Sequence, residues 1–376
     1  MEHAESVLNA GVAEGVFPGA VLLVARGGQV VTLRQVGMAA VAPKGVPMRR
    51  ETVFDLASLT KVCATTLAVM KLVDEGGVGL DEPLSHLIPS CPLGDKAALT
   101  SRLLLTHSSG LADWRPYYLR LTHHPLGRRL GLLREWIVEE PFAYAPGRGS
   151  LYSDLGFMLL QWVIEEKTGM PLWDFVKKVF YEPLGLKRTL FMPAGEVESP
   201  SHSPRANAGG PAPWEFAATE DCPWRKRVLQ GEVHDENAFA LGGCSAHAGL
   251  FSTAEDLLVI VNMLRGHYRA ERHDFFRPET VREFWRRQEI VAKSDWALGW
   301  DTRAAEGSSA GRHFSLRSVG HTGFTGTSIW TDPVKDATVI LLSNRVHPSR
   351  DNPQKIKTFR PRIHDAIMEE LGLAAP

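Results

Sequence analysis

The chain has 376 residues, of which 44% are hydrophobic and 23% charged, which fits a globular protein of two or three domains and excludes disordered and fibrous proteins. Its 42 lysine and arginine residues almost balance its 43 aspartate and glutamate residues. A formal net charge of -1 gives no electrostatic basis for binding nucleic acid or an anionic membrane. The function is therefore expected to reside in a local site.

The N-terminal residues 1–5 are acidic, and no apolar stretch with a small-residue cleavage site follows them, so we expect no secretory leader. The strongest apolar runs, 20–25 and 337–342, are far shorter than the roughly 20 residues of a membrane-spanning helix. The cysteines are Cys63, Cys91, Cys222 and Cys244. They lack Cys-x-x-Cys spacing and are too few for a disulfide framework. We predict free thiols and a cytoplasmic protein; an extracytoplasmic location stays open if the native gene encodes a leader.

The first part of the chain has the pattern of a β-hairpin that follows an N-terminal helix. Apolar runs at 20–25 and 30–33 are separated by a Gly27-Gly28 turn. From residue 58 to about 290 the pattern is mainly helical, and one helix begins at a capping-box spacing in 252–255. Residues 193–230 contain six prolines and are predicted to form an irregular loop.

Strand patterns return after residue 290, and a helix closes the chain. The predicted strands are 296–300, 314–319, 326–331 and 338–343, and the predicted helix is 362–371. The fold class is therefore predicted to be α/β plus all-α, with an antiparallel sheet that is flanked by helices and interrupted by a large helical insertion. We expect a discontinuous α/β domain from 1–60 and 290–376, and a mainly helical domain from 61–289.

The clearest chemical motif is Ser58-x-x-Lys61, which stands immediately before an amphipathic run. A spacing of three residues in the first helical turn places the hydroxyl and the amine on one face. A serine hydroxyl needs a base to become a nucleophile, and a lysine serves when burial or neighbouring charge lowers its proton affinity. A helix N-cap serine followed by a solvated lysine would explain the isolated motif equally well.

Two further motifs follow in the chain, Tyr152-Ser153-Asp154 and His321-Thr322-Gly323. With Ser58-x-x-Lys61, they resemble the serine beta-lactamase and penicillin-binding-protein superfamily, and most of all its class C beta-lactamase-like hydrolases. Shorter similarities at 105–111, 249–254 and 342–345 occur in the expected order. The resemblance spans residues 18–371 and implies a beta-lactamase-like fold.

The resemblance also implies a role for each matched residue. Ser58 would be the nucleophile that forms an acyl-enzyme, and Lys61 and Tyr152 would together move its proton to the leaving group. The backbone N–H groups of Ser58 and Phe324 would form the oxyanion hole. Asp154, His321, Thr322, Gly323 and Arg345 would border or bind the substrate.

Two residues depart from the lactamase pattern and bear on the substrate. Asp154 replaces an asparagine that donates to a substrate carbonyl, and an ionised aspartate only accepts hydrogen bonds, so it is better suited to holding Lys61 charged. His321 replaces a lysine that attracts a substrate carboxylate, and histidine is largely neutral near pH 7. Arg345 is the candidate for the missing positive charge.

These departures favour a serine hydrolase of small esters or amides, including D-amino-acid and cell-wall-derived peptides. A beta-lactamase or D-Ala-D-Ala carboxypeptidase is the first alternative, and a penicillin-binding sensor that acylates slowly is the second. No zinc-binding spacing and no nucleotide-binding loop is recognisable, so we expect no metal and no cofactor. The predicted partner is a small ester, amide or beta-lactam, without nucleic acid; the oligomeric state stays open.

Overall fold

A computed structural model describes residues 1–192 and 211–374. The α-helices are α1 (Glu2–Ala13), α2 (Thr66–Asp74), α3 (Leu84–Leu87), α4 (Ser101–Leu105), α5 (Tyr118–Leu121), α6 (Leu126–Glu139), α7 (Asp154–Thr168), α8 (Leu172–Val176), α9 (Glu236–Ala240), α10 (Ala254–Tyr268), α11 (Pro278–Phe284) and α12 (Pro353–Glu370). The strands are β1 (Gly19–Arg26), β2 (Gln29–Ala40), β3 (Val46–Pro47), β4 (Phe54–Asp55), β5 (Leu190–Phe191), β6 (Ala218–Cys222), β7 (Arg227–Gln230), β8 (Leu250–Ser252), β9 (Asp301–Thr302), β10 (Val319–Thr322), β11 (Ser328–Asp332) and β12 (Ala337–Ser343). Within these residues, no helix is both long and apolar enough to cross a membrane.

The largest sheet has seven antiparallel strands in the order β3-β2-β1-β12-β11-β10-β9. It joins the two ends of the chain, because β1 pairs with β12 from Ala20 opposite Ser343 to Arg26 opposite Ala337. Its strands come from residues 19–47 and 301–343 only. This arrangement agrees with the antiparallel sheet that the sequence predicted; the domain boundaries remain a prediction.

Both faces of the central strands are covered, which explains why β1 is apolar at almost every position. Because side chains alternate across a strand, Leu22 and Val24 pack on one face with α1 and α12, while Val21 and Leu23 pack on the other. On that second face the chain places α10 against β1 and β12. The cleft described below lies where this sheet meets the helical part of the chain.

Several predicted elements are confirmed and others are wrong. The predicted hairpin corresponds to β1 and β2, and the predicted helix after 252–255 is α10, capped by the Thr253 hydroxyl. The predicted strand 296–300 is only an isolated bridge between Trp296 and Asp301, because Trp296 packs on the His107 ring instead of joining a ladder.

The predicted strand 314–319 is also wrong. A turn held by the Asp332 carboxylate occupies 315–318, and β10 begins only at Val319. The closing helix begins at Pro353, earlier than predicted. Of the predicted irregular loop 193–230, residues 193–210 lie outside the described part of the chain, and the remainder contains the β6–β7 hairpin. All four cysteines are free thiols.

Candidate active site

Ser58 stands in a sharp turn between β4 and a helical segment. Ala57 before it has a φ of 47°, a left-handed conformation that is uncommon for a residue with a Cβ and that the surroundings must hold in place. The buried Asp55 carboxylate holds it, accepting the N–H of Ala57 at 2.9 Å and that of His234 at 2.6 Å. After Ser58, residues Lys61–Thr65 form a π-helical turn, a feature found often at functional sites, before α2 begins.

Lys61 has a fully buried side chain that contacts three oxygen atoms. Its Nζ lies 3.1 Å from the Ser58 Oγ, 3.0 Å from the His247 carbonyl oxygen and 2.7 Å from the Asp154 Oδ1. Burial lowers the pKa of the Lys61 ammonium, but the Asp154 carboxylate and Tyr152 more than offset this and leave the pKa raised. In the resting site Lys61 is therefore a charged ammonium that touches the nucleophile.

Tyr152 lies against the same ammonium, with the Lys61 Nζ 4.9 Å from the centre of its ring. Burial raises the pKa of the Tyr152 phenol, and the nearby Lys61 ammonium offsets only part of that rise. The hydroxyl is buried, and its hydrogen-bonding interactions with Lys61 and Ser58 also lower the pKa of the phenol. The resting site therefore holds a protonated phenol beside Ser58 and Lys61, available to a substrate.

Asp154 is positioned by the start of α7. The Ser153 hydroxyl caps this helix by accepting the N–H of Gly156, and the Asp154 N–H donates to the Asp113 carbonyl at 2.8 Å. These bonds fix the carboxylate beside Lys61. The Asp154 carboxylate therefore faces Lys61. The sequence suggested this placement, because an ionised aspartate accepts hydrogen bonds but cannot donate them.

A second buried network was not predicted from the sequence. The His247 ring lies between Ser245 and Asp235, with its Nδ1 2.8 Å from the Ser245 Oγ and its Nε2 2.9 Å from the Asp235 Oδ1. Burial raises the pKa of the Asp235 carboxyl, but His247 reverses that effect and lowers it well below its usual range. This network orients the His247 carbonyl toward Lys61.

Asp154, Asp235 and His247 also form the one group of potential metal ligands found within the described chain. Their ligand atoms all lie within 4.8 Å of one another. The Lys61 ammonium lies against two of the three residues and already supplies the positive charge there. The arrangement therefore suits a buried lysine better than a metal ion.

The opposite wall of the cleft is the turn that follows β10. Gly323 is required here, because a Cβ would lie 2.0 Å from the Thr327 Oγ1 and 2.4 Å from the Leu56 carbonyl. The hydroxyls of Thr325 and Thr327 donate to the carbonyls of Asp55 and Leu56. This turn is thus bound directly to the segment that carries Ser58.

The backbone N–H groups of Ser58 and Phe324 are both free. Neither donates to another group among the described residues, although their neighbours in the turns do. Phe324 is 48% exposed, so this residue lies at the protein surface. The placement suits the oxyanion hole that the family resemblance implies, while that role remains a prediction.

His321 on β10 is buried, and its Nδ1 donates to the Thr322 carbonyl at 2.9 Å. Burial and then the Lys61 charge lower the pKa of His321 to about 3. Its Nε2 has no partner within residues 1–192 and 211–374. His321 is therefore neutral at physiological pH, and Thr322 contributes its carbonyl to hold the ring.

His107 is a further buried imidazole that the sequence did not single out for chemistry. Its Nδ1 accepts the Ser153 N–H at 3.0 Å, and its ring centre lies 4.5 Å from that of Tyr152. Burial, with the Lys61 charge, holds the pKa of His107 well below its ordinary value. It packs behind Tyr152 as a neutral ring.

Arg345 does not reach the cleft as a free cation. It is 3% exposed, its Nε donates to the Phe324 carbonyl at 2.8 Å, and its guanidinium lies 4.4 Å from the centre of the Phe324 ring. Its remaining contact is with the Arg350 carbonyl. These contacts favour a role in positioning Phe324 over the predicted role in substrate binding.

The structure thus brings together residues from three motifs that are distant in the chain. Asp235, His247 and His107 also lie at this site, although no motif spacing in the sequence indicated them. Asp235 directly follows His234, and this histidine–aspartate pair is the signal that the sequence offers for the segment. His247 lies just before the matched segment 249–254. No sequence pattern identifies His107 as a partner of Tyr152.

Comparisons with known proteins identify a family and relatives for the whole chain. The family described as Beta-lactamase matches residues 4–358. The chain is 31% identical to a Bacillus subtilis (strain 168) protein named N-acetylmuramyl-L-alanine amidase, over 94% of this chain and 83% of that protein. It is 33% identical to an Escherichia coli (strain K12) protein named "Putative D-alanyl-D-alanine carboxypeptidase", over 90% of this chain and 81% of that one.

The fold also matches a solved structure. EstCE1, described as a hydrolase with promiscuous acyltransferase activity, aligns with a TM-score of 0.69 over 96% of this chain and 98% of that chain, at 24% identity. The predicted beta-lactamase-like fold is confirmed.

Proposed function

This chain belongs to the beta-lactamase family of serine hydrolases, and we propose that it acts through an acyl-enzyme at Ser58 on small, uncharged esters or amides. The observation that carries the proposal is the position of Lys61 between a hydroxyl and a carboxylate, 3.1 Å from Ser58 and 2.7 Å from Asp154. A proton donor thus contacts both the hydroxyl of a half-buried serine and a carboxylate that can accept a proton.

The first step is removal of the Ser58 proton. Because the pKa of Lys61 and that of Tyr152 are both raised, neither is a free base in the resting site. Lys61 passes one proton to Asp154, and its Nζ then takes the proton of Ser58 as the Ser58 oxygen attacks the substrate carbonyl carbon. After this step Lys61 is again an ammonium, and Asp154 carries one additional proton in place of Ser58.

The second step is collapse of the tetrahedral intermediate. The N–H groups of Ser58 and Phe324 stabilise its oxyanion, and the Tyr152 phenol gives its proton to the leaving group. Lys61 reprotonates Tyr152 and recovers its proton from Asp154. The net result is transfer of the serine proton to the leaving group, with an ester on Ser58 that water then hydrolyses.

The preference for uncharged substrates follows from the wall formed by β10. His321 stands where related enzymes carry a lysine, and its low pKa of about 3 leaves it neutral. Arg345 is occupied by the Phe324 and Arg350 carbonyls. His321 thus offers no charge, and Arg345 keeps its charge but directs two of its donors to backbone carbonyls, so neither group favours a carboxylate-bearing leaving group.

A second candidate is hydrolysis of cell-wall amides, including D-alanyl-D-alanine peptides. The names of the Escherichia coli and Bacillus subtilis relatives favour it. A beta-lactamase belongs to the same second class, since it also requires recognition of a carboxylate. A protein that only acylates, without turnover, is the remaining alternative.

A side-by-side assay distinguishes these functions. We expect a fluorophosphonate probe to label the wild type but not Ser58→Ala, and p-nitrophenyl acetate to be turned over many times per enzyme. Turnover of N-acetylmuramyl-L-alaninamide with a kcat/KM well above that of the ester would favour the cell-wall amide instead. Hydrolysis of nitrocefin with a kcat/KM well above that of the ester would overturn the preference for uncharged substrates. One equivalent of product without turnover would indicate an acylating sensor, and full activity of Ser58→Ala would exclude the mechanism.

A further inference from the structure

A buried cation lies behind the turn that follows β10. Arg360 on α12 is 6% exposed, and its Nη2 donates to the carbonyls of Gly323 and Thr327 at 2.9 and 2.8 Å. Its Nε makes no hydrogen bond within residues 1–192 and 211–374, and no carboxylate in that part of the chain pairs with it. The mechanism proposed above makes no use of Arg360.

The charge of Arg360 is not neutralised where it lies. A guanidinium buried without a carboxylate partner costs free energy, which hydrogen bonds to two carbonyls recover only in part. Burial, and then the Arg345 charge, lower the pKa of Arg360 to about 9, so the group stays charged at neutral pH. Its charge also reaches the cleft: burial and Lys61 lower the pKa of His321 to about 3, with a smaller contribution from Arg360.

The Gly323 carbonyl that Arg360 binds belongs to the same peptide group as the Phe324 N–H. This peptide is trans, so its carbonyl and its N–H point in opposite directions. Arg360 and the Gly326 N–H, at 3.1 Å, hold the carbonyl on the side of α12, and the Phe324 N–H therefore points away from that helix. This N–H donates to no other described group.

A charged donor at the carbonyl also changes the N–H at the other end of the peptide. The guanidinium draws electron density toward the carbonyl oxygen, which makes the N–H a stronger donor. This gain is greatest when the acceptor carries a full negative charge, as a tetrahedral intermediate does and a substrate carbonyl does not. Arg345 binds the Phe324 carbonyl, which belongs to the next peptide, and so does not act on the Phe324 N–H in this way.

From this arrangement we propose that Arg360 orients and polarises the Gly323–Phe324 peptide, so that its N–H binds the oxyanion formed from the substrate carbonyl. The inference rests on the proposed function and assigns a residue of the closing helix to its transition state. Arg360 is a positioning residue, because it acts only through this peptide. Its guanidinium lies behind the turn and donates to backbone carbonyls, so it does not bind a substrate carboxylate.

An inhibitor that acquires an oxyanion tests this role. The Ser58 oxygen adds to the carbonyl carbon of trifluoroacetophenone, the serine proton passes to Asp154 through Lys61, and the carbonyl oxygen becomes the oxyanion of a hemiketal. Fluorine NMR detects the hemiketal, and acetophenone is the matched ligand that binds without adding. We expect Arg360→Gln, which keeps a neutral donor, to bind trifluoroacetophenone about tenfold more weakly and acetophenone equally well.

Three further measurements separate charge from shape. Arg360→Lys retains a cation and should recover part of the lost affinity, whereas Arg360→Met has neither charge nor donor and should lose at least as much as Arg360→Gln. The pKa of the bound hemiketal hydroxyl, followed by fluorine NMR, should be higher in Arg360→Gln than in the wild type. Arg362→Gln on the same helix removes a surface partner of Glu14 and should change neither affinity.

The outcomes distinguish this inference from the proposed function. If the wild type forms the hemiketal but Arg360→Gln and Arg360→Met bind trifluoroacetophenone as tightly, the role of Arg360 is wrong. An equal loss for acetophenone, or no recovery in Arg360→Lys, would overturn it as well, because the charge would then not act on the oxyanion. A wild type that forms no hemiketal would instead contradict the proposed nucleophile, and the inference would fail with it.

Discussion

The two walls of the catalytic cleft use different chemistry. The helical wall buries ionised groups: Lys61 contacts Asp154, and Asp235 contacts His247. The wall after β10 presents neutral groups, namely backbone N–H donors and an imidazole whose pKa is about 3. The comparison suggests a division of work in which the helical wall moves protons and the sheet wall polarises the carbonyl and selects the leaving group. Substitutions on one wall should then leave the work of the other intact.

The largest effect should come from Tyr152→Phe on the proton-transfer wall. We expect kcat for p-nitrophenyl acetate to fall about 10³-fold, since general acid–base catalysis is lost, with KM nearly unchanged. The Tyr152 hydroxyl interacts with Lys61 and Ser58, so its removal should lower the free energy of unfolding by about 1 kcal/mol, the net value of one hydrogen bond. Steady-state kinetics measure kcat and KM, and urea unfolding measures the free energy of unfolding. Tyr117→Phe, whose hydroxyl lies 3.4 Å from Glu140, is the control, and an equally large loss of kcat there would refute the assignment.

Asp154→Asn tests whether the carboxylate takes part in proton transfer. We expect kcat at pH 7 to fall about 10²-fold. Without the carboxylate, burial governs Lys61 and its pKa falls, so the ammonium loses its proton at a lower pH than in the wild type. The loss of kcat relative to the wild type should therefore be greatest at low pH and become smaller as the pH rises through the lowered pKa of Lys61.

The measurement is the pH dependence of kcat for both proteins, and Asp81→Asn, which removes a surface partner of Arg102, is the control. Parallel profiles with a constant deficit would show that Asp154 only positions Lys61.

Arg345→Met tests the positioning of the oxyanion turn on the other wall. Losing the donor to the Phe324 carbonyl leaves that carbonyl unpaired and frees the turn, so we expect kcat to fall about tenfold, with little change in KM. Arg345→Lys retains one donor and should recover part of the rate. If both variants bind substrate more weakly at unchanged kcat, Arg345 acts on substrate affinity instead.

The smallest effect concerns substrate choice at His321. We expect His321→Lys to raise the kcat/KM of nitrocefin relative to p-nitrophenyl acetate about fivefold, because a cation would then face the carboxylate, and 1 M salt should reduce that gain. His321→Gln is the uncharged control.

The wild type adds a pH test. With a pKa of about 3, His321 stays neutral between pH 5 and 8, so the wild-type ratio of the two substrates should not change over that range. A ratio that rises as the pH falls through 6.5 would instead show that the imidazole becomes charged.

The two walls also differ in how well the sequence predicts them. The apolar runs at 20–25 and 337–342 predict β1 and β12 correctly, because burial on both faces leaves a continuous hydrophobic pattern. The runs 296–300 and 314–319 also contain aromatic and apolar residues, but Trp296 packs on His107 and Phe314 packs on Trp330, while Leu316 is 59% exposed. These runs do not form the predicted strands. The local hydrophobic pattern does not distinguish a residue that is buried within a sheet from one that packs on another side chain without joining a strand.

The helical wall is less predictable still. The motifs locate Ser58, Lys61 and Tyr152, and the chemistry of a carboxylate suggested that Asp154 would hold Lys61. His247 contacts Lys61 across 186 residues of chain, and Asp235 contacts His247 twelve residues away, so the tertiary fold brings both to the site. Such contacts have no spacing that a sequence pattern could reveal.

The bond between Thr325 and the Asp55 carbonyl joins positions 270 residues apart in the chain. During synthesis, the segment that carries Ser58 emerges long before the turn that must hold it. Strand β1 likewise emerges long before its partner β12, with which it pairs in the sheet. An incompletely synthesised or partly folded chain would have the serine and the lysine but only one of the two N–H groups of the proposed oxyanion hole. If the proposed mechanism holds, acylation requires complete folding, and on refolding the return of activity should coincide with the last phase of pairing between the chain ends.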